Sequence, residues 1–242
     1  MAAVKGYRII LVMPETMSVE RRQLMRAYGA RLELTVGAKG MCGAIARAKE
    51  LAKEIGNSFL PGQFENPSNP KAHLDETGPE IYADTDGKVD LFVAGVGTGG
   101  TLTGVGKYLK KQNPAVRIVA VEPKDSPVLS KGKAGSHKLQ GIGPGFIPEV
   151  LNRRIIDEVI TATAKDAAAI CRQVGRLEGV LMGYSSGAAV WAAISLQSEK
   201  KTRAKPLSPF WRTTGSDTFP RRCFWKEALI KRLQKKGITC IM

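Results

Sequence analysis

Short β-branched runs alternate with segments of helical period along most of the chain. Tyr7–Met13 reads as a buried strand, and Glu20–Ala27 as a helix capped by Ser18 and stopped at Gly29. Arg31–Val36 alternates apolar with polar positions as a half-buried strand does, and Gly40–Ile55 has the composition and period of a helix. Gln63–Pro70, rich in Asn, Pro and Ser, reads as loop, with a further helix opening at Thr77–Ile81. Val89–Val96 is then predicted as a strand, Thr101–Gln112 as a helix and Arg117–Glu122 as a strand. After Val159 the pattern predicts a helix over Lys165–Leu177, a buried strand at Gly179–Met182 and a helix from Ala188. Strands separated by crossover-length helices argue for an α/β fold, a parallel sheet with helices on its faces.

The uncharged stretch from Gly179 to Ser198 is nearly long enough to span a bilayer, but Gly183, Tyr184, Ser185, Ser186 and Gly187 interrupt it. A strand, a polar turn and a helix describe it better, and no membrane association is expected. The four cysteines have neither paired nor regular spacing, which argues against a disulfide framework or zinc ribbon and for a reducing compartment. With only His73 and His137 in the chain, no multi-histidine metal site is expected.

Charge changes the picture in one place. The 242 residues carry a formal net charge of +15. Residues 1–198 hold 25 basic and 19 acidic side chains (+6), and residues 199–242 hold 12 and 3 (+9). A basic tail with Trp211 and Trp225 suggests phosphate neutralisation and base stacking, but the rest of the chain carries no nucleic-acid motif, and solvated charge is the better reading.

Two segments bear candidate chemistry. The predicted strand ending at Val96 runs into Gly97-Thr98-Gly99-Gly100-Thr101 and then a helix. Glycines at that turn let backbone N–H groups approach an anion, and the helix start adds partial positive charge. Neither the lysine of a Walker loop nor GxGxxG spacing is present, so a small phosphorylated cofactor fits better than a nucleotide; a plain strand-to-helix turn is the alternative. Ser185, in Gly183-Tyr-Ser-Ser-Gly-Ala-Ala189, follows another apolar run. GxSxG order is absent and no histidine stands in a plausible relay, so a hydrogen-bonding role is preferred to a nucleophilic one, with a Ser-Ser helix cap as the structural alternative.

These segments occur with Gln63-Phe-Glu-Asn-Pro-Ser-Asn-Pro-Lys-Ala-His73, Thr77-Gly-Pro-Glu-Ile81 and Gly141-Ile-Gly-Pro-Gly-Phe-Ile-Pro148 in the order found in cysteine synthases, the O-acetylserine sulfhydrylases. From residue 1 to about residue 204 the chain resembles that family. Cystathionine β-synthase shares the Gly97–Thr101 pattern and is the alternative enzyme.

The resemblance implies a fold-type II pyridoxal-phosphate enzyme, tryptophan synthase β-like, that replaces the acetate of O-acetylserine by sulfide to give cysteine. It further implies a homodimer, a cytoplasmic location with an organellar form as the alternative, and a groove for the C-terminus of serine acetyltransferase. Gly97, Thr98, Gly99, Gly100 and Thr101 would hold the cofactor phosphate, and Ser185 would meet the pyridine nitrogen. Gln63 and Phe64 would line the substrate pocket, with Gly141, Ile142 and Gly143 forming the wall beside the cofactor. Residues 1–60 would be part of a small mobile α/β domain, and residues 61–205 a large cofactor-binding domain lacking its first elements.

Two departures carry expectations of their own. The family's Schiff-base lysine, in a Ser-Val-Lys-Asp-Arg type segment, and its Thr-Ser-Gly-Asn-Thr-Gly loop have no counterpart here, so no catalytic residue is assigned. The chain is therefore expected to be an N-terminally truncated, inactive form, and a catalytically dead interaction protein is the competing reading. From Pro206 the sequence no longer follows the family, and residues 206–242 are expected to be frame-shifted or disordered.

Overall fold

The apolar runs pair as parallel strands in a computed structural model that describes residues 1–198. The basic tail and everything expected of residues 206–242 lie outside the described residues. The described residues divide into two compact units, Met1–Gly62 and a second that begins at Gln63.

In the first unit β1 (Ile10–Pro14) pairs in parallel with β2 (Arg31–Thr35), Ile10 opposite Arg31 and Pro14 opposite Thr35. Between them runs α1 (Val19–Ala27), whose N-cap Ser18 accepts a hydrogen bond from the Arg21 N–H at 3.4 Å. A 3-10 turn at Gly37–Lys39 leads into α2 (Gly40–Glu54), whose buried residues are Ala44 and Leu51. Arg47 on that helix reaches Glu33, Glu50 and Glu54 at 3.1, 3.2 and 2.9 Å. Its guanidinium pKa is raised, by hydrogen bonds to Glu54, then Glu50, then Glu33.

The second unit opens with the expected loop over residues 63–67, but helix begins at Ser68, inside the stretch expected to be loop. α3 (Ser68–Ala72) runs through a π turn at His73–Thr77 into α4 (Gly78–Asp84). The start is set by Asn66, whose carboxamide oxygen accepts from the Ser68 N–H at 2.9 Å. Pro67 and Pro70 lie before or within the first turn, where the missing N–H costs nothing. These two prolines, read as loop chemistry, mark a helix N-terminus instead.

The three-stranded sheet has the order β3-β4-β5, formed by β3 (Leu91–Gly95), β4 (Arg117–Pro123) and β5 (Glu158–Ala162), all parallel. α5 (Gly100–Gln112) crosses between β3 and β4, the short α6 (Val128–Lys131) follows β4, and α7 (Ala164–Glu178) and α8 (Tyr184–Ser198) follow β5. α7 is capped by Thr163, which accepts from the Asp166 N–H at 3.1 Å.

Strand residues of this sheet feed two cores. Val93, Val119 and Val121 pack on α8 through Ala188, Ala192 and Leu196, whereas Phe92, Ile118 and Ala120 pack on α5 through Leu102, Val105 and Leu109. β4 is buried on both faces, as an inner parallel strand requires.

One predicted strand is not found. Gly179–Met182 is irregular, and Leu181 is 91% exposed. An apolar run becomes a strand only beside a partner, and this one pairs with none of β3, β4 and β5.

Candidate functional site

β3, β4 and β5 all end at one edge of the sheet, and the segments that leave this edge carry the candidate residues. In parallel sheets that edge is where ligands bind. Gly97, Thr98 and Gly99 form the turn between β3 and α5, and Gly100 and Thr101 open the helix. Gly99 has φ +81°, a left-handed conformation that glycine adopts without strain, and it sits against the side chain of Leu151. A Cβ at Gly97 would stand 2.5 Å from the Gly141 carbonyl oxygen, and a Cβ at Gly100 would land on the Asn69 carboxamide. Backbone is thus brought where side chains would block an incoming group, and the first turn of α5 offers its N–H groups there.

The Gly141–Gly143 turn is seated on the same strands. Gly143 donates to the Val96 carbonyl at 2.9 Å, and its own carbonyl meets His137 Nε2 at 2.8 Å. Ile142 packs on Gly95, whose missing side chain leaves the room. A Cβ on Gly141 would lie 3.9 Å from Ser185 Oγ, which places the first turn of α8 beside this wall. The half-buried Ser185 hydroxyl makes no hydrogen bond among the described residues.

Gln63 joins the loop through Asn69, which the sequence does not mark as a site residue. Asn69 Nδ2 donates to the Gln63 carbonyl at 2.7 Å and to Thr98 Oγ1 at 3.0 Å. Phe64 follows Gln63 in the chain: its ring meets Phe146 edge-on, centroids 5.1 Å apart, and its carbonyl accepts from the Val150 N–H at 3.2 Å. His73 joins the same loop. Its Nε2 lies 3.1 Å from Thr101 Oγ1 and its Nδ1 3.0 Å from Thr77 Oγ1. Asn69 and His73 both stand within the Gln63–His73 motif, yet their partners in the glycine turn, Thr98 and Thr101, lie 29 and 28 residues away along the chain.

The residues present fit the phosphate end of a small cofactor. Glycines keep the space clear, a 13-residue helix points its N-terminus into it, and an uncommitted neutral hydroxyl waits at the adjacent wall. Residues 1–207 match the family described as pyridoxal-phosphate dependent enzyme. The chain belongs to that family.

Its relatives narrow the likeness. The chain is 56% identical over 198 residues to a cysteine synthase of Staphylococcus aureus, a match covering 81% of this chain and 64% of the relative. Among solved structures it is similar to cysteine synthase from Entamoeba histolytica, at 45% identity and a TM-score of 0.77, over 83% of this chain and 59% of that one. An O-ureido-L-serine synthase is similar at 44% identity and a TM-score of 0.79, over 82% and 63%. The expected fold class therefore stands: this pyridoxal-phosphate family member has the fold-type II architecture, spanning less than two thirds of the length of the curated relatives it matches. No helix among its described residues is long and apolar enough to cross a membrane.

Proposed function

We propose that this chain serves cysteine biosynthesis, the replacement of acetate in O-acetylserine by sulfide to give L-cysteine and acetate. The observation that carries the reading is the meeting of three segments, the Gly97–Thr101 turn, the Gly141–Gly143 turn and Ser185, at one sheet edge, in a chain 56% identical to a cysteine synthase. Pyridoxal phosphate, when bound, supplies the electron sink that lets a group leave the β-carbon of an amino acid.

The chain's own residues do the rest of the work assigned here. Backbone N–H groups of the Gly97–Thr101 turn, other than that of Gly100, which faces Thr98 Oγ1, would hold the phosphate dianion together with the positive end of α5. Ser185 offers the ring nitrogen a neutral hydroxyl, which does not force a proton onto it as a carboxylate would. That choice suits β-elimination over chemistry needing a deeper electron sink. Gln63 and Phe64 line the substrate side, and the Gly141–Gly143 turn forms the opposite wall. The lysine that carries the cofactor in the family is not assigned to any residue of this chain. Lys71, Lys88 and Lys110 are already ion-paired with Asp75, Asp86 and Asp157.

By the same reading the working assembly is a homodimer, and the C-terminus of serine acetyltransferase competes for the substrate pocket. The compartment is the cytoplasm, whose reducing poise suits the free thiols of Cys42 and Cys171.

Co-expression with the portion of the Staphylococcus aureus relative outside the matched stretch tests the assignment. Cysteine formation from O-acetylserine and sulfide is expected, and Ser185→Asp should lower it by protonating the ring nitrogen. If the pair assembles, binds the cofactor and makes no cysteine, the substrate assignment fails.

A further inference from the structure

Thr98 sits in the cradle with its hydroxyl already surrounded. Asn69 Nδ2 lies 3.0 Å and the Gly100 N–H 3.2 Å from its Oγ1. Both are donors. A threonine hydroxyl has two acceptor lone pairs and one proton to donate, so both of its acceptor positions are filled. The orientation of the Asn69 carboxamide is fixed by chemistry: a backbone carbonyl can only accept, so the atom 2.7 Å from the Gln63 oxygen must be the amide nitrogen. That nitrogen carries two hydrogens, one for Gln63 and one for Thr98.

We propose that Asn69 is a positioning residue that makes Thr98 an obligate hydrogen-bond donor toward the phosphate of the bound cofactor. The proposal rests on the reading of Gly97–Thr101 as the phosphate cradle. Without Asn69 the hydroxyl regains an open lone pair and divides its time between orientations, some of which turn that lone pair toward the anion. With aspartate in its place the Thr98 proton is drawn to the carboxylate and away from the phosphate, and a negative charge enters the cradle. Asn69 also ties the Gln63 backbone to the cradle, so the segment that would line the substrate pocket and the one that would grip the cofactor share a single carboxamide.

The test compares binding of pyridoxine 5′-phosphate and of pyridoxine to the full chain by calorimetry. Neither probe has an aldehyde, so lysines cannot trap it. Asn69→Ala should weaken the phosphorylated probe about 5- to 10-fold, the loss of one well-placed hydrogen bond, and leave pyridoxine unchanged. Asn69→Asp, close to isosteric and therefore informative if the alanine variant folds poorly, should weaken the phosphorylated probe more than alanine does.

In a Thr98→Val background, Asn69→Ala should cost the phosphorylated probe nothing further, since the two act as one unit. Equal weakening of both probes, or full additivity with Thr98→Val, would mean that Asn69 only braces the loop and would overturn the proposal. A wild-type chain with no preference for the phosphorylated probe would instead overturn the cradle itself, a failure visible before any variant is made.

Discussion

Removal of the Thr103 hydroxyl isolates one buried polar brace behind the cradle. Thr103 is 2% exposed on the inner face of α5. Its Oγ1 donates to the Val150 carbonyl at 3.1 Å and accepts from the Asn152 N–H at 2.9 Å. Valine has nearly the same volume, so Thr103→Val opens no cavity and leaves two backbone groups without partners. Val150 is 9% exposed, and its orphaned carbonyl bears most of the desolvation cost; Asn152 is half-buried, so water recovers part of the loss at its N–H.

The sum is about 2–3 kcal/mol. Thr103→Ser keeps the hydroxyl and loses one methyl, about 1 kcal/mol. In urea the valine variant's unfolding midpoint, followed by far-UV circular dichroism, should fall by roughly 1 M, and the serine variant's by about half that or less. Equal midpoints for the two variants would refute the reasoning, because packing alone would then account for the site. Leu151, between the two braced residues, packs on Gly99, so the valine variant should also bind pyridoxine 5′-phosphate more weakly.

Gly97→Ala should cost about 1–3 kcal/mol by pressing on the Gly141 carbonyl, and denaturant unfolding of the purified variant measures it. Glu122, 2% exposed, accepts from the Leu129 and Ser130 N–H groups at 2.7 and 3.0 Å and from the Ser130 hydroxyl. Glu122→Gln turns one of its two acceptor oxygens into a donor facing donors, and a loss of about 2–3 kcal/mol in the same assay is expected. Burial pushes the Asp157 carboxyl pKa upward, but the Lys110 ammonium and the Ile118 N–H outweigh it and hold the carboxyl below its usual range. A depressed pKa stabilises the fold above the ordinary aspartate value and ceases to do so as pH falls through the folded one. Asp157→Asn should therefore flatten the acid limb of a stability–pH curve below about pH 4; an unchanged acid limb would contradict this account of the carboxylate.

The glycine turn and its flanking elements were readable because their causes are local. A strand of Leu91–Gly95, a positive φ at Gly99 and a helix from Gly100 follow from residues within about twenty positions of one another. Asn69 was not legible as a site residue. Nothing in Asn-Pro-Ser-Asn-Pro says which carboxamide caps a helix locally, as Asn66 does, and which crosses to another element, as Asn69 does. The misread strand at Gly179–Met182 shows the opposite limit. Its composition suits a sheet, but pairing is decided by a neighbour that composition cannot supply.

The approach of α3 to α5 has an evolutionary consequence. A Cβ at Gly104 would fall onto the Pro70 carbonyl, and one at Gly100 onto the Asn69 carboxamide, so the bare backbone of α5 takes up its neighbours directly over a full helical turn. On the α5 side such a seam has no side chains with which to adapt, and neutral drift at its two glycines is closed. Affinity for whatever the cradle holds must therefore evolve through residues that touch the seam from outside, such as His73 and Leu151, while Gly100 and Gly104 stay fixed from one descendant to the next.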